Sequence, residues 1–180
     1  EEQQMENMRK MLLAMAKDIR VILIKMADRL HNMRTMAYQS EEKQRIKSLE
    51  TMEIYAPIAH RLGMQKIKWE LEDLSLLYLD PTGYKAITDA LDQRMPTLEK
   101  FMGEMRTQIR ERLELDGVHA TISSRIKHIY SIYRKMYAQK LDINGIFDLC
   151  AFRVIVDTIP DCYNVLGIIH DMYKPLPGRF

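Results

Sequence analysis

Apolar residues recur every three or four positions along most of the chain, up to about Leu115. This spacing predicts a series of amphipathic helices, each with one face towards a core. Asp18 is a predicted N-cap between the first two helices, the second of which should run from Ile19 to about Tyr38. The β-branched run at its start would also suit a strand, but the helical spacing continues beyond it. The apolar positions of these two helices are Met5, Met8, Leu12, Met15, Ile19, Ala27, Leu30, Met33 and Ala37.

A third helix is predicted over residues 41–62. Pro57 should kink it, since proline has no amide hydrogen to donate, and Gly63 should end it. Its apolar face consists of Ile46, Leu49, Met52, Ala56 and Ala59.

Two further helices are predicted before the pattern changes. The first is short and is closed by Asp80-Pro81-Thr82-Gly83. The second runs from Tyr84 to about Leu115, with an interruption near Pro96. The apolar face of the short helix consists of Ile67, Leu71, Leu74 and Tyr78.

The pattern changes at Asp116-Gly117. "VHATISSR" alternates apolar and polar residues, which is typical of a strand, and "DLCAFRVIVD" predicts a second strand rich in β-branched residues. Helices are predicted between them, over about 126–139, and after them, over 161–173. The predicted fold class is therefore α+β and mostly helical, with a helical part joined to the opening β-α-β-α segment of an α/β domain.

Composition excludes several classes of protein. Hydrophobic residues make up 47% and charged residues 29% of the 180 residues, as in a globular protein and unlike a disordered one. A net charge of +2 does not by itself indicate a nucleic-acid partner. The 14 methionines are interpreted as flexible core residues.

Two cysteines, Cys150 and Cys162, match no metal-binding spacing and make no convincing disulfide framework. The sequence shows no signal peptide and no apolar stretch near membrane-spanning length, so we expect a cytoplasmic protein without a membrane partner. The chain begins without a methionine, inside a predicted helix, and stops where a turn should lead onward. We therefore expect an internal piece of a longer protein.

A first group of chemically active residues follows the apolar run Val21–Ile24. Asp28, Asn32 and Thr35 lie at positions i, i+4 and i+7, within roughly 40° of one another around a helix. A carboxylate in a packed environment must be paired, hydrogen-bonded or bound to a metal. From spacing alone, a buried network in which Asp28 pairs with Arg29 or Arg34 is the favoured interpretation, and a metal or nucleotide site is the alternative.

A second group lies on the predicted helix after the first strand. Lys127, Ser131 and Lys135 recur at intervals of four, and ammonium and hydroxyl donors suit a polyphosphate. Tyrosines among these residues make single-stranded nucleic acid a rival partner, and a solvated basic face is the simplest alternative. Asp148, before the second strand, could hold Mg²⁺ on substrate phosphates or cap the strand. The tyrosines are Tyr130, Tyr133 and Tyr137.

Two long segments resemble a known family. "RKMLLAMAKDIRVILIKMADRLHNMRT" is similar to the hydrolase domain of the RelA/SpoT family of (p)ppGpp synthetase/hydrolases, and "ETMEIYAPIAHRLGMQKIKWELEDL" to the central helices of that family. The resemblance implies an HD-type helical domain that releases pyrophosphate from ppGpp with a Mn²⁺ ion. It implies that Asp28 is the last Mn²⁺ ligand and that Asn32 and Thr35 contact the nucleotide. The other ligands are expected upstream of residue 1. The His170-Asp171 dipeptide is expected to lie at the surface or at a helix end and to bind no metal.

"RIKHIYSIYRKM" and "IFDLCAFRVIV" resemble the start of the synthetase domain of the same family, a nucleotidyltransferase-like fold. The implied reaction transfers the β,γ-pyrophosphoryl group of ATP to the 3′-hydroxyl of GDP or GTP. Asp148 would be catalytic, as the first of two Mg²⁺-binding acids, and Arg153 would line the site. Ile126 departs from the proline of many members. The implied contacts to ATP phosphates are Arg125, Lys127, Ser131 and Lys135.

The resemblance divides the chain into three parts. Residues 1–42 would be the C-terminal part of the hydrolase, 43–115 a helical connector, and 116–180 the N-terminal part of the synthetase. Arg179-Phe180 match the start of a loop typical of bifunctional members. We expect the chain alone to have neither activity, and any ribosome or regulatory contact to use regions outside it. The alternatives are a non-catalytic helical interaction module and a single-stranded RNA-binding domain.

Overall fold

The computed structural model describes residues 18–140 and 148–175, which divide into two compact units. Unit 1 consists of residues 18–86 and 128–133. Unit 2 consists of residues 87–127, 134–140 and 148–175. The predicted first helix, before Asp18, lies outside the described residues, as does the Arg179-Phe180 pair.

Unit 1 is helical. Its elements are α1 (Ile19–Arg34), a 3₁₀ turn (Met36–Tyr38), α2 (Glu41–Glu50), a π-helical turn (Thr51–Tyr55), α3 (Ala56–Arg61), α4 (Gln65–Leu79), and the first residues of α5 (Pro81–Leu115) and of α6 (Ile129–Gln139).

Helix α1 starts as the sequence predicts. The side chain of Asp18 accepts a hydrogen bond from the backbone amide of Arg20 at 2.9 Å, so Asp18 is the N-cap. The α-helix ends at Arg34, earlier than predicted, because the chain tightens into the 3₁₀ turn.

Pro57 is accommodated without a break in the helical chain. The amide of Ala56 donates to the carbonyl of Thr51, five residues earlier, which defines the π-helical turn just before the proline. Gly63 ends α3 in the left-handed conformation, with φ of 72°, as predicted. The amide of Met64 then reaches back to the carbonyl of Ala59 at 2.9 Å, which satisfies one of the last carbonyls of the helix.

Methionines form much of the core of unit 1, as predicted from composition. Met26 and Met33 are fully buried, and burying each such side chain stabilises the fold by about 1.5–3 kcal/mol. The apolar run before Asp28 behaves differently, since Leu23 is 49% and Ile24 67% exposed. Other buried members of this core are Met36, Tyr55, Ala59 and Leu71.

Helix α5 is continuous across Pro96, so the predicted interruption is wrong. Its start is also earlier than predicted, because Asp80 and Pro81 begin this helix as well as end the previous one. The Asp80 carboxylate accepts from the amide of Gly83 at 2.9 Å, and proline suits the first helical position, where no amide partner is needed.

Unit 2 pairs two strands antiparallel, β1 (Thr121–Ile126) and β2 (Cys150–Ile155), and ends in α7 (Ile159–Met172). Strand β1 pairs with β2 so that Thr121 faces Ile155 and Ile126 faces Cys150. Helix α7 begins slightly before its predicted start, because the hydroxyl of Thr158 caps it by accepting from the amide of Asp161 at 3.2 Å.

One face of this small sheet packs on apolar side chains of α5 and α7. The buried residues of the cluster are Ile109, Leu113, Val118, Val165 and Ile168. The mostly helical class with a small sheet is therefore confirmed, while the division into three predicted domains stays a prediction. Within the described residues, no helix is long and apolar enough to cross a membrane.

Candidate functional sites

Unit 1 contains an open cavity of about 430 Å³ next to α1. Asp28, Asn32 and Thr35 all line it, so the helical spacing did bring these three residues to one surface. The lining also carries four cations, of which only Arg29 was considered from the sequence, as a partner of Asp28. They are Lys25, Arg29, Lys43 and Lys47.

Asp28 does not belong to a buried network, and the interpretation favoured from spacing is wrong. Arg29 pairs with Glu50 at 2.7 Å, and Arg34 pairs with Glu70 at 2.5 Å. Asp28 is exposed and, in the described part of the chain, forms no hydrogen bond or ion pair. The premise of burial fails because Asp28 is itself exposed, as are Leu23 and Ile24 in the second half of the apolar run before it.

Arg29 forms one wall of the cavity and is held on two sides. Its guanidinium donates to both carboxylate oxygens of Glu50, at 2.7 and 3.2 Å, and lies 4.0 Å from the centre of the Tyr55 ring. Lys47 also donates to Glu50 at 2.9 Å. Bidentate pairing and the aromatic face together fix the guanidinium in place.

Thr35 has a structural role as well as a place in the cavity. Its hydroxyl donates to the carbonyl of His31 at 3.0 Å, at the end of α1. The oxygen lone pairs stay free to accept from a ligand, whereas the hydrogen is already used.

The described residues do not by themselves form either predicted metal centre. Residues 18–140 and 148–175 contain no cluster of three or more histidine, cysteine or acidic side chains in reach of one ion. Asp28 and Asp148 each supply one carboxylate, and one carboxylate does not define a metal site.

Unit 2 brings together three residues that are distant in sequence. The ammonium groups of Lys127 and Lys135 both donate to the Oδ2 atom of Asp148, Lys127 at 2.5 Å. Partial burial raises the pKa of Asp148, but the hydrogen bonds from the two lysines outweigh it and lower that pKa to about 2. Asp148 is thus ionised at neutral pH, inside a cationic cluster.

Lys127 is not on the predicted helical stripe. Helix α6 begins at Ile129, and the amide of Lys127 donates to the carbonyl of Leu149 at 2.9 Å, which extends the pairing of the two strands. This extension carries Lys127 to the start of β2, where Asp148 lies.

Arg125 and Arg153 lie on the exposed face of the two-stranded sheet. Arg153 pairs in register with Ser123, and Arg125 with Ala151, so the arginines are diagonal neighbours. Both are exposed.

Ser131 belongs to unit 1, where its hydroxyl lies 3.1–3.2 Å from the ring nitrogens of His128. The Nε2 atom of His128 is 3.2 Å from a carboxylate oxygen of Glu72. The Ser131 hydroxyl is almost equidistant from the two ring nitrogens, so it lies over the face of the imidazole and not in the ring plane at the nitrogen opposite Glu72. The group therefore does not have the geometry of a catalytic Ser-His-acid triad.

His170-Asp171 lies in the last turn of α7, at a helix end as expected. Asp171 accepts from Arg112 at 3.1 Å near the end of α7. Both residues of this ion pair lie in unit 2.

Comparison with known proteins agrees with the motifs. A family model described as an HD domain matches residues 1–65, and one described as a region found in RelA / SpoT proteins matches residues 124–180. A GTP pyrophosphokinase of Myxococcus xanthus is 51% identical over 180 residues. The chain belongs to the RelA/SpoT family.

Relatives of this RelA/SpoT chain carry the names of both activities. A probable guanosine-3′,5′-bis(diphosphate) 3′-pyrophosphohydrolase of Synechocystis is 47% identical over 99% of the chain. A bifunctional (p)ppGpp synthase/hydrolase of Mycobacterium tuberculosis is 46% identical over 97% of it. The match to Myxococcus covers 100% of the chain, and each of the three matches spans 24% of the relative's own length.

Sequence reasoning missed several residues around these RelA/SpoT sites. Lys25 could have been found, because it precedes Asp28 by one helical turn. Lys43 and Lys47 are one turn apart on α2, but their approach to α1 is a tertiary feature. Asp73 gave no local signal, although its carboxylate accepts from the amides of Ile129 and Tyr130 at the start of α6.

Proposed function

We propose that this RelA/SpoT chain is a section of a bifunctional (p)ppGpp synthetase/hydrolase. In this proposal the synthetase transfers the β,γ-pyrophosphoryl group of ATP to the 3′-hydroxyl of GDP or GTP. The hydrolase removes the 3′-pyrophosphate of (p)ppGpp. The relatives' names support the two activities, and the chain by itself is expected to perform neither.

The observation that carries the synthetase proposal is the meeting of Lys127, Lys135 and Asp148. The resemblance assigned two of them to ATP phosphates and one to Mg²⁺. A polyphosphate that enters this cluster competes with one carboxylate oxygen for two ammonium groups. Because ATP carries several negative charges, it can take both lysines as donors and leave Asp148 for a cation. Arg125 and Arg153 on the neighbouring sheet face would add positive charge for the transferred group.

The observation that supports the hydrolase proposal is the cationic lining of the cavity in unit 1. Asp28 is the proposed Mn²⁺ ligand, with its other ligands outside the described residues. Asn32 and Thr35 are proposed nucleotide contacts. Three lysines give this cavity the positive charge that a tetraphosphorylated nucleotide requires: Lys25, Lys43 and Lys47.

ATP binding by the chain tests the synthetase proposal. We expect Lys127→Met and Lys135→Met each to weaken ATP binding by about tenfold, because each removes a charge-assisted hydrogen bond. Lys174→Met, at an exposed position of unit 2, is the matched control and should bind as the wild type does. Titration followed by NMR chemical shifts suits millimolar affinities. Equal affinity in all four proteins would overturn the proposal.

The same titration separates the RNA alternative. An oligouridine that binds and is not displaced by ATP would favour a single-stranded RNA-binding domain.

The Mn²⁺ content of the full-length parent protein tests the hydrolase proposal. It is measured for Asp28→Asn and for Asp89→Asn, which changes a matched exposed carboxylate of unit 2. Loss of Mn²⁺ only in the first supports the proposal, and equal Mn²⁺ in both supports a non-catalytic helical module.

A further inference from the structure

The imidazole of His128 is enclosed by side chains of α4 within unit 1. Its Nε2 atom lies 3.2 Å from Glu72, and its ring stacks on Trp69 with 5.4 Å between centroids and 27° between planes. Only 12% of the His128 side chain and 8% of the Glu72 side chain are exposed. The ring therefore has little freedom to turn.

Glu72 is itself held. Lys68, one turn earlier on α4, donates to the same carboxylate oxygen at 2.9 Å. Burial raises the pKa of Glu72, but the hydrogen bonds from His128 and Lys68 outweigh it and keep the carboxyl below its ordinary pKa. An ionised Glu72 thus anchors the imidazole.

The hydroxyl of Ser131 lies against this ring. It is almost equidistant from the two ring nitrogens, 3.2 Å from Nδ1 and 3.1 Å from Nε2. An oxygen in the ring plane cannot be so close to both nitrogens without colliding with the carbon between them. The hydroxyl therefore sits over the ring face.

Ser131 lies in the first turn of α6, with Lys127, four residues earlier, outside the helix, so its hydroxyl differs from three other helical hydroxyls. The hydroxyls of Ser75, Thr51 and Thr107 each donate to the carbonyl four residues earlier, at 2.7, 2.6 and 3.1 Å. That bond consumes the only hydrogen a hydroxyl can donate. Ser131 instead contacts His128, and an interaction with a ring face is weaker than one with a carbonyl. The hydrogen of Ser131 can thus be redirected to a ligand at little cost.

The helical turn that carries Ser131 is also anchored. Asp73 accepts from the amides of Ile129 at 3.3 Å and Tyr130 at 2.7 Å. A carboxylate of α4 therefore supplies the N-cap that α6 lacks in its own sequence. Since this carboxylate occupies the helix N-terminus, a polyphosphate there must rely on side-chain donors.

We propose that His128, held by Glu72 and Trp69, is a positioning residue that keeps the Ser131 hydroxyl free to donate to a polyphosphate. This inference rests on the proposed synthetase function, in which Ser131 is the ATP-phosphate contact that the resemblance implies, and adds the residues that prepare it. His128 acts through Ser131 and does not itself contact the phosphate. Without the ring beside it, the Ser131 hydroxyl turns to the nearby carbonyl of His128, which already accepts from the amide of Ser131 at 3.1 Å.

The test measures binding of ATP and of inorganic tripolyphosphate to the wild-type chain and its variants by NMR titration. Ser131→Ala should weaken binding by about three- to tenfold, the effect of one hydrogen bond. His128→Ala should weaken it equally, and the double variant should lose no more than either single variant. A positioning role requires this non-additivity. Additive losses, or wild-type affinity in His128→Ala, would overturn the inference.

Conservative variants distinguish positioning from a general structural effect. His128→Gln keeps an amide that can contact Glu72 and Ser131, so it should recover most of the affinity that His128→Ala loses. Glu72→Gln should weaken binding, whereas Glu70→Gln should not, although it also removes an ion pair of α4. If His128→Ala does not fold, the affinities of Glu72→Gln and Glu70→Gln for the two polyphosphates still test the inference. No binding by the wild type would overturn the proposed role of Ser131 as well, whereas wild-type binding that Glu72→Gln leaves unchanged would overturn only this inference.

Discussion

Arg29 donates to both carboxylate oxygens of Glu50, and this pair joins α1 to α2 across 21 positions of sequence. The pairing has a consequence for the residue next to Arg29. Asp28 loses its nearest candidate partner and lies at the cavity surface. Arg29 pairs with Glu50 and not with Asp28. This is the arrangement expected if Asp28 binds a ligand.

The Arg29–Glu50 pair should matter for stability. Glu50→Ala leaves the guanidinium of Arg29, whose side chain is 8% exposed, without its carboxylate, and we expect a loss of about 2 kcal/mol in the free energy of unfolding. Urea unfolding measures it. Lys47→Ala removes the other, half-exposed partner of Glu50 and should cost less than about 0.5 kcal/mol. Equal losses in the two variants would contradict this explanation.

Asp148 should titrate far below an ordinary aspartate. Its pKa of about 2 lies below the value of 3.8 for an unperturbed carboxyl, so the ionised form is favoured by folding. The resulting stabilisation is present above pH 4 and is lost as the pH falls from about 4 through 2. NMR titration of the Asp148 side-chain carbon should report this pKa directly. Lys127→Met and Lys135→Met should each raise it, and a wild-type midpoint near 4 would refute the cluster.

Asp73→Asn should destabilise the folded protein less than Asp73→Ala does. Burial raises the pKa of Asp73 despite the two amides that donate to it, so its ionised form is costly in the folded state. Asp73→Asn keeps an acceptor for the amides and removes the charge, whereas Asp73→Ala loses the cap and should cost about 1 kcal/mol. Because a raised folded pKa destabilises the protein as the pH rises through it, the advantage of asparagine should grow with pH. Urea unfolding at several pH values checks both statements.

Replacement of Pro96 by alanine should stabilise the folded protein. It lies inside α5, where it leaves the carbonyl of Asp92 without its usual amide donor. Pro96→Ala should raise the free energy of unfolding by about 1 kcal/mol or more. Pro160→Ala is the control, since Pro160 lies in the first turn of α7, where no amide partner is needed, and it should give no gain. Thermal unfolding compares the two, and no difference between them would contradict the prediction.

The sequence predicted those features that depend on neighbours along the chain. Asp18 caps α1 and Gly63 ends α3 because short-range rules decide both. Asp28, Asn32 and Thr35 share a surface because helical spacing requires it. These are properties of one helix at a time.

Features that depend on neighbours in space were missed or wrongly predicted. Arg29 was a candidate partner of Asp28, and only the approach of α2 shows that Glu50 takes it. Ser131 and Lys127 were assigned to one helical stripe, but the pairing of the strands holds Lys127 outside the helix. Pro96 was expected to interrupt a helix that instead runs without a break from Pro81 to Leu115.

The π-helical turn at Thr51–Tyr55 sets the directions of the side chains that follow it in the same helical segment, up to Arg61. An additional residue in a helix rotates the following side chains by about 100°. In the observed phase the ring of Tyr55 reaches Arg29 and Ala59 points into the core. Deletion of one residue from this turn would allow an unbroken α-helix, yet it would turn the aromatic ring away from the guanidinium. The length of this segment is therefore a structural constraint on the cavity, independent of which residues line it.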